Sequence, residues 1–451
     1  MKRDLLKSIS SSYVLFFLNT VVAIFLTPYI LGYVSKDEYG IYILCVDFLA
    51  WFNVLQFGTN KVIESKAAHQ IATKRFKDLN ISFNSSFFFQ LLVGLLIIPL
   101  FYFIIKENIS SNSLPNINTI ILIFSISAGI SVFKSLYSAA IIATKKIYKD
   151  NYIQIGINLL NYALIILLVP QLKIIGLALI SLFVVFMILV RSHLRVKQLL
   201  PVIKLNYKKF SLSELKDLLS TGIYFTIGSI ATILLVKIDT FYIGKEIGLD
   251  VIASFYITVK IFILMQKGFS IFINNFRPFI AQLYAVKDFQ SISLIYNNIT
   301  SLSFIAIIFV TSILMFLNKW FVTIWVGEDF FLGNNFSVLF GFAIALEILT
   351  LPYRIVLVSA LYKIKSQSYF RLIEALLRIT GILFLFNYFG LEIMPIMSII
   401  SSLIFGHCYF YFTMSKFFNQ YDIKNLSSSF SKLIILSIIL LILYSFNLIH
   451  I

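Results

Sequence analysis

Thirteen apolar runs, each about as long as a bilayer is thick, constrain this chain more than anything else in it. They fall at roughly 8–31, 39–60, 81–105, 118–143, 151–170, 174–192, 218–244, 251–276, 297–317, 336–360, 369–388, 393–414 and 431–449. An α-helix rises 1.5 Å per residue, so about 20 apolar residues cross the ~30 Å hydrocarbon layer. Inside that layer every backbone N–H and C=O must be satisfied within the segment. The runs lack the alternation of a barrel strand, so each reads as a spanning helix. Composition agrees: 59% of the residues are hydrophobic, only 13% are charged, and mean hydropathy is +0.93. A soluble domain has no way to bury so much apolar surface. The first run is too long for the apolar core of a signal peptide and no small-residue cleavage site follows it, so it reads as a retained helix.

A net charge of +17 raises nucleic acid as a partner. The distribution of charge argues against that and for a membrane topology. Twenty-six Lys and Arg lie at the N-terminus and in every second connection, from Lys2, Arg3 and Lys7 to Lys416, Lys424 and Lys432. The opposite connections carry only Lys36, Lys106, Lys173, Lys245 and Lys319. Basic loops stay in the cytoplasm, which predicts a cytoplasmic N-terminus and, after thirteen crossings, an outer C-terminus. Cys45 and Cys408 both fall in apolar runs and read as small packing residues.

The longest basic connection divides the chain. Pro201 interrupts it, and Ser211-Leu212-Ser213-Glu214 is a capping box just before helix seven. The expected division is an N-lobe of six helices over 1–193, a cytoplasmic linker over 194–217, and a C-lobe of six helices over 218–414. A cytoplasmic loop and an extra helix follow over 415–451. Weak internal matches support a repeat. Asp4-Leu5-Leu6 recurs as Asp217-Leu218-Leu219, Tyr42-Ile43 as Tyr256-Ile257, and Ala72 through Phe76 resembles Ala285 through Phe289, at offsets of 213 or 214. Six helices separate equivalent points, so the repeats share one orientation. The predicted fold is an all-α integral membrane protein with two six-helix lobes in a parallel pseudo-two-fold repeat, plus a thirteenth helix.

Charges inside spanning helices are costly and mark cavities or partners. Ten stand out: Asp47, Lys134, Lys237, Asp239, Lys260, Lys267, Glu347, Arg354, Glu374 and Arg378. Glu374 and Arg378, spaced i, i+4, read as a structural ion pair. Lys237 and Asp239 read as able to reach the headgroups from the outer end of helix seven. At the repeat offset Asp47 maps onto Lys260 and Lys134 onto Glu347, with opposite sign. Either these four face a cavity between the lobes, or they pair inside each lobe, Asp47 with Lys134 and Lys260 with Glu347. Lys134, Lys260, Lys267 and Arg354 would suit an anionic headgroup such as a pyrophosphate, by Coulomb attraction at low dielectric. Asp47, Glu347 and Asp239 are the acids that could carry a coupling ion. No phosphate-binding loop and no metal-ligand spacing among His69, His193, His407 and His450 occur, so neither an ATPase nor a metal or cofactor is expected.

Helices one and two meet at Leu26-Thr27-Pro28-Tyr29-Ile30-Leu31-Gly32, continuing through Glu38-Tyr39-Gly40-Ile41-Tyr42. Pro28 can bend a helix end, the glycines allow close approach, and the tyrosines suit a membrane boundary. Here, with an echo at Ser254-Phe255-Tyr256-Ile257 and Arg277-Pro278, the chain resembles the polysaccharide-export flippases of the Wzx type. They belong to the superfamily that includes the MATE multidrug exporters and the lipid II flippases. The resemblance covers the layout of helices one to twelve, and family members have twelve or fourteen. It implies a bacterial inner-membrane flippase that moves an undecaprenyl-pyrophosphate-linked oligosaccharide, an O-antigen or capsule repeat unit, to the outer leaflet by alternating access. It also implies drive by Na+, H+ or membrane potential, in the company of membrane lipids and other polysaccharide-assembly proteins. Two other functions compete with it. A MATE-type multidrug or cation antiporter would use an acidic cavity. A membrane polysaccharide polymerase or ligase would be an enzyme with a large basic outer loop, whereas the outer connections here are short.

Overall fold

The computed structural model describes residues 2–108, 116–144, 147–274, 276, 280, 283–284, 287–307, 312–359 and 364–419. The expected thirteenth helix at 431–449, the Arg277-Pro278 pair, and Lys145, Lys146, Lys363, Lys424 and Lys432 lie outside the described residues. No strand occurs among the described residues. Helices follow in order: α1 (Lys2–Leu31), α2 (Lys36–Phe52), α3 (Thr59–Ala72), α4 (Phe76–Asn108), α5 (Ile117–Ala143), α6 (Ile147–Leu199), α7 (Leu212–Glu246) and α8 (Leu249–Asn274). Then come α9 (Phe289–Ala306), α10 (Ser312–Val326), α11 (Asn334–Ser359), α12 (Ile364–Phe389), α13 (Ile393–Ser401) and α14 (Cys408–Asn419), with a π turn at Ser402–His407 joining the last two. Among the described residues, most of each of the first twelve apolar runs lies on these helices. Two runs share α6, which breaks at Lys173 with φ 48° and ψ −132°.

The chain forms two compact units, Met1–Ile233 with Thr240–Ala253, and Leu234–Asp239 with Ser254–Ile451. In the first unit the core joins α3, α4, α5, the end of α6 and the start of α7 through Val62, Ile63, Phe83, Leu136, Val196 and Leu218. In the second, Phe262, Phe304, Phe342, Leu346 and Leu349 pack α8, α9 and α11 together.

The turn from α1 to α2 is built as its residues suggest. Ser35 caps α2 by accepting from the Glu38 backbone N–H, and the Glu38 carboxylate accepts from the Ser35 N–H. Gly40 lies against the start of α8: a Cβ there would stand 1.9 Å from the carbonyl oxygen of Leu249. Any side chain would force the two backbones apart. Tyr29 contributes a bond that spacing could not reveal. Pro170 has no N–H to give the carbonyl of Ile166, four residues before it, and the Tyr29 hydroxyl donates to that carbonyl at 2.7 Å.

Helix two ends earlier than its apolar run suggests. After α2 comes one 3-10 turn at Asn53–Gln56, and then Phe57 and Gly58 take left-handed backbone angles. Two such residues in succession redirect the chain. The following segment, Thr59–Ala72, is a polar helix rather than an open loop, and it carries Lys61 and Lys66. Gly58 meets Gly222 of α7, where a Cβ on Gly58 would lie 2.3 Å from the Gly222 carbonyl oxygen. Lys66 ties α3 to α7 through Glu214 at 2.7 Å and Asp217 at 2.6 Å. Burial works against the Lys66 charge, but these carboxylates outweigh it and hold its pKa above the ordinary lysine value.

Candidate functional site

The charged residues of the second unit meet in a buried cluster. Glu347 on α11 accepts from Arg354, two turns further along the same helix, at 2.8 Å, and from Arg371 on α12 at 2.9 Å. Arg371 also donates to Glu374 at 3.0 Å. Two arginines and two glutamates thus alternate in space, and Glu347 is shared between both arginines. His407, in the π turn, points Nε2 at the carbonyl oxygen of Leu346, 3.2 Å away. The Nε of Arg371 and Nδ1 of His407 are buried with no hydrogen-bond partner among the described residues. That leaves a donor and a ring nitrogen for water or an exchanging ion.

A second pair lies in the same unit. Arg378 holds both oxygens of Asp239, at 2.8 and 2.7 Å, and donates further to Ser398 Oγ at 2.6 Å and to the Leu235 carbonyl at 2.8 Å. Both side chains are almost fully buried, at 2% and 4% exposure. Nη2 serves both carboxylate oxygens while Nε and Nη1 go to Ser398 and the backbone, and a charge pair with its donors so satisfied is tolerable when buried.

These contacts correct three expectations. Glu374 and Arg378 do not form the i, i+4 pair that their spacing suggests. Glu374 turns to Arg371 at i−3, and Arg378 reaches Asp239, where both oxygens of a buried carboxylate accept from its Nη2 and, among the described residues, no other basic side chain is bonded to them. Asp239 is accordingly buried, and does not reach out to headgroups. The proposed Lys260–Glu347 pair gives way to the two arginines on Glu347. Lys260 instead donates to the Tyr256 hydroxyl at 2.5 Å, with Nζ 4.2 Å from the ring centroid. Arg371, absent from the ten interior charges singled out above, is inside α12 and only 5% exposed. Its signal was present: Arg371, Glu374 and Arg378, spaced three and four apart, share one helix face.

The first unit holds Asp47 on α2, buried, with Oδ2 accepting from the Thr240 hydroxyl at 2.8 Å. Phe48 and Trp51 of α2 and Phe241 of α7 form an aromatic cluster next along the same helices, with rings 5.5 to 6.4 Å apart. Lys134 on α5 is half-buried. In the second unit Lys267 on α8 is exposed and Arg354 half-buried. The anion-binding candidates are therefore spread over α5, α8 and α11, and Arg354 alone among them contacts the acidic cluster in the bonds just given.

No family model matches the chain. The uncharacterized membrane protein EpsK of Bacillus subtilis (strain 168) is 22% identical over 334 residues, covering 71% of this chain and 65% of that protein's length. Among solved structures, an inward-facing multidrug resistance MATE-family transporter of the MOP superfamily aligns with a TM-score of 0.66 at 13% identity, covering 89% of this chain and 94% of that one. A MOP-superfamily transporter from Pyrococcus furiosus, for which reverse polarity of the binding pocket suggests a different function, aligns at 0.63 with 12% identity, over 92% and 96%. A MATE structure in complex with MaD3S gives 0.63 at 13% identity, over 95% and 97%. These neighbours are transporters, and the chain is a multi-pass membrane protein with an all-α, MATE-like fold.

Proposed function

We propose that this protein is a flippase of the bacterial inner membrane that carries an undecaprenyl-pyrophosphate-linked oligosaccharide, an O-antigen or capsule repeat unit, from the cytoplasmic to the outer leaflet. The observation that carries this reading is the state of the interior acids. Glu347, Glu374 and Asp239 are held by arginines, and Asp47 by a threonine hydroxyl. The helices of the two units also carry seven basic residues in or beside their apolar stretches: Lys134, Lys237, Lys260, Lys267, Arg354, Arg371 and Arg378. An interior with three of its four acids held by arginines and basic residues in excess favours an anionic cargo over a cationic one.

The shared Glu347 suggests how binding and coupling are linked. A pyrophosphate that engages Arg354 competes with Glu347 for it. Glu347 then leans on Arg371 alone and gains affinity for a cation, Na+ or H+. One positive charge moved across the membrane contributes roughly 2.3 kcal/mol per 100 mV, enough to bias an alternating-access cycle. In this scheme Lys134, Lys260 and Lys267 attract the headgroup, and Asp47 and Asp239 are further positions for the coupling ion. The chain works beside the membrane proteins that build and polymerise the glycan.

Replacing Arg354 or Lys267 by Ala should trap lipid-linked repeat units in the inner leaflet and abolish surface glycan at unchanged protein level. The exposed Lys208→Ala should retain export. Equal behaviour of all three would sink the headgroup assignment. The MATE neighbours keep one other reading open, a multidrug or cation antiporter. A drug-efflux assay in a sensitised host separates the two, because only the antiporter lowers drug accumulation.

A further inference from the structure

In the first unit an apolar groove of about 610 Å³ lies between α5 and both halves of α6. Ile126 and Ile130 form one wall, Leu164 and Leu168 the second, and Leu182 and Phe186 the third. The lining has no charged or polar side chain. All three walls belong to spanning segments, so the medium outside the groove is hydrocarbon. Phe186 is 51% exposed there, which shows that the groove opens sideways. A volume in the range of roughly 300–1,000 Å³ is that of a ligand site, larger than the packing defects between neighbouring helices.

One end of the groove is polar. The stripe Ile126, Ile130 continues at the same i+4 step to Lys134, about 6 Å further along α5. The wall residue Phe186 continues at i+7 to His193, about 10 Å along α6. His193 Nδ1 meets the Tyr137 hydroxyl of α5 at 3.1 Å, and Arg191 donates to Gln154 Oε1 at 3.1 Å. This is the end where α5 finishes and the first half of α6 begins. An apolar channel that runs to a basic end complements an amphiphile with a long hydrocarbon chain and an anionic head.

We propose that this groove seats the isoprenoid chain of the carrier lipid, with its phosphate end toward Lys134 and Arg191. The proposal rests on the lipid-linked cargo proposed above and adds to it a place for the part of the substrate that never leaves the membrane. A chain held there tethers the carrier to the first unit while its headgroup moves. The groove selects the carrier over bulk lipid by accepting a single methyl-branched chain, whereas a phospholipid must lodge one of two chains and leave the other outside.

The test uses the full-length protein in nanodiscs of defined phospholipid. Two photoactivatable probes are compared, a polyprenyl phosphate and a phosphatidylglycerol, each with a diazirine in the hydrocarbon, and the labelled peptides are identified by mass spectrometry. The expected result is polyprenyl labelling of 126–130 and 179–186 that is lost on adding unlabelled polyprenyl phosphate and unaffected by added phospholipid. Leu182→Trp, which fills the groove, should lose this labelling, and Leu167→Trp, on the exposed surface beside it, should keep it. Equal labelling by both probes, or labelling that polyprenyl phosphate does not displace, would show ordinary lipid and overturn the proposal. Labelling of other helices alone would overturn it as well. Specific labelling in a protein that moves no lipid-linked glycan in proteoliposomes would leave the groove standing and reject the transport reading. Transport without groove labelling would do the reverse.

Discussion

Arg378 shows how one side chain can hold several elements at once. Its guanidinium spends its donors on Asp239 and Leu235 of α7 and on Ser398 of α13. Arg378→Ala would leave Asp239 buried without its counter-charge, which costs about 3–5 kcal/mol. The expected outcome is a drop in apparent melting temperature in detergent. Asp239→Asn should recover part of it in the double variant, because the amide needs no counter-charge. Independent additive losses would show that the two residues do not interact. Tyr29→Phe makes a smaller change of the same kind. It strands the Ile166 carbonyl that Pro170 cannot serve, at a cost of about 1–3 kcal/mol. Glu347 differs from both: Arg371 spans its two oxygens, Arg354 adds a second bond to Oε1, and Glu347 can lose Arg354 without being left bare. The spacing of Arg371 from Glu374 was legible, but this sharing could not be read from spacing, since the partner of a charge on one helix is chosen by which other helix faces it.

At the scale of elements, the junctions carry the information. The α1–α2 turn has its proline and its cap close together in the chain, and the cap acts locally, so the hairpin is legible in the order of residues alone; Gly40 acts at a distance, against Leu249 of α8. Gly40→Ala should be far more disruptive than an ordinary helical Gly→Ala, which is neutral or stabilising, because its Cβ meets a backbone oxygen that has nowhere to move. Thermal unfolding and protein yield would show the difference against Gly156→Ala, where nothing lies near the added carbon. The break at Phe57–Gly58 was hidden inside an apolar run. Hydropathy averages over a window and does not register two left-handed residues. The polar α3 behind the break is fastened by Lys66. Lys66→Ala should loosen that junction by less than about 1 kcal/mol, since the pair is partly exposed. The raised Lys66 pKa means that this contribution is fully present below the ordinary lysine value of about 10.4 and is lost as pH rises past the folded value.

For the whole molecule, the topology is a prediction with a simple readout. Reporter fusions at residue 205 should report cytoplasm, and fusions at residue 330 the outer side. The reverse pattern would invert the direction of transport and move Lys134 to the far end of the path. The sequence alone determined the helical class and the apolar stretches that the long helices carry, because these follow from local quantities: apolar length and periodicity. It also located ten of the interior charges, since an ionisable residue in an apolar run stands out, but not Arg371, at the polar start of its helix. Only the tertiary structure decided who bonds to whom. It gave Asp239 to Arg378, shared Glu347 between Arg354 and Arg371, and opened a groove between α5 and α6. Those outcomes depend on which helix faces meet and at what distance. In a low-dielectric interior a carboxylate takes the arginine that offers the better fork, however far away it lies in the chain.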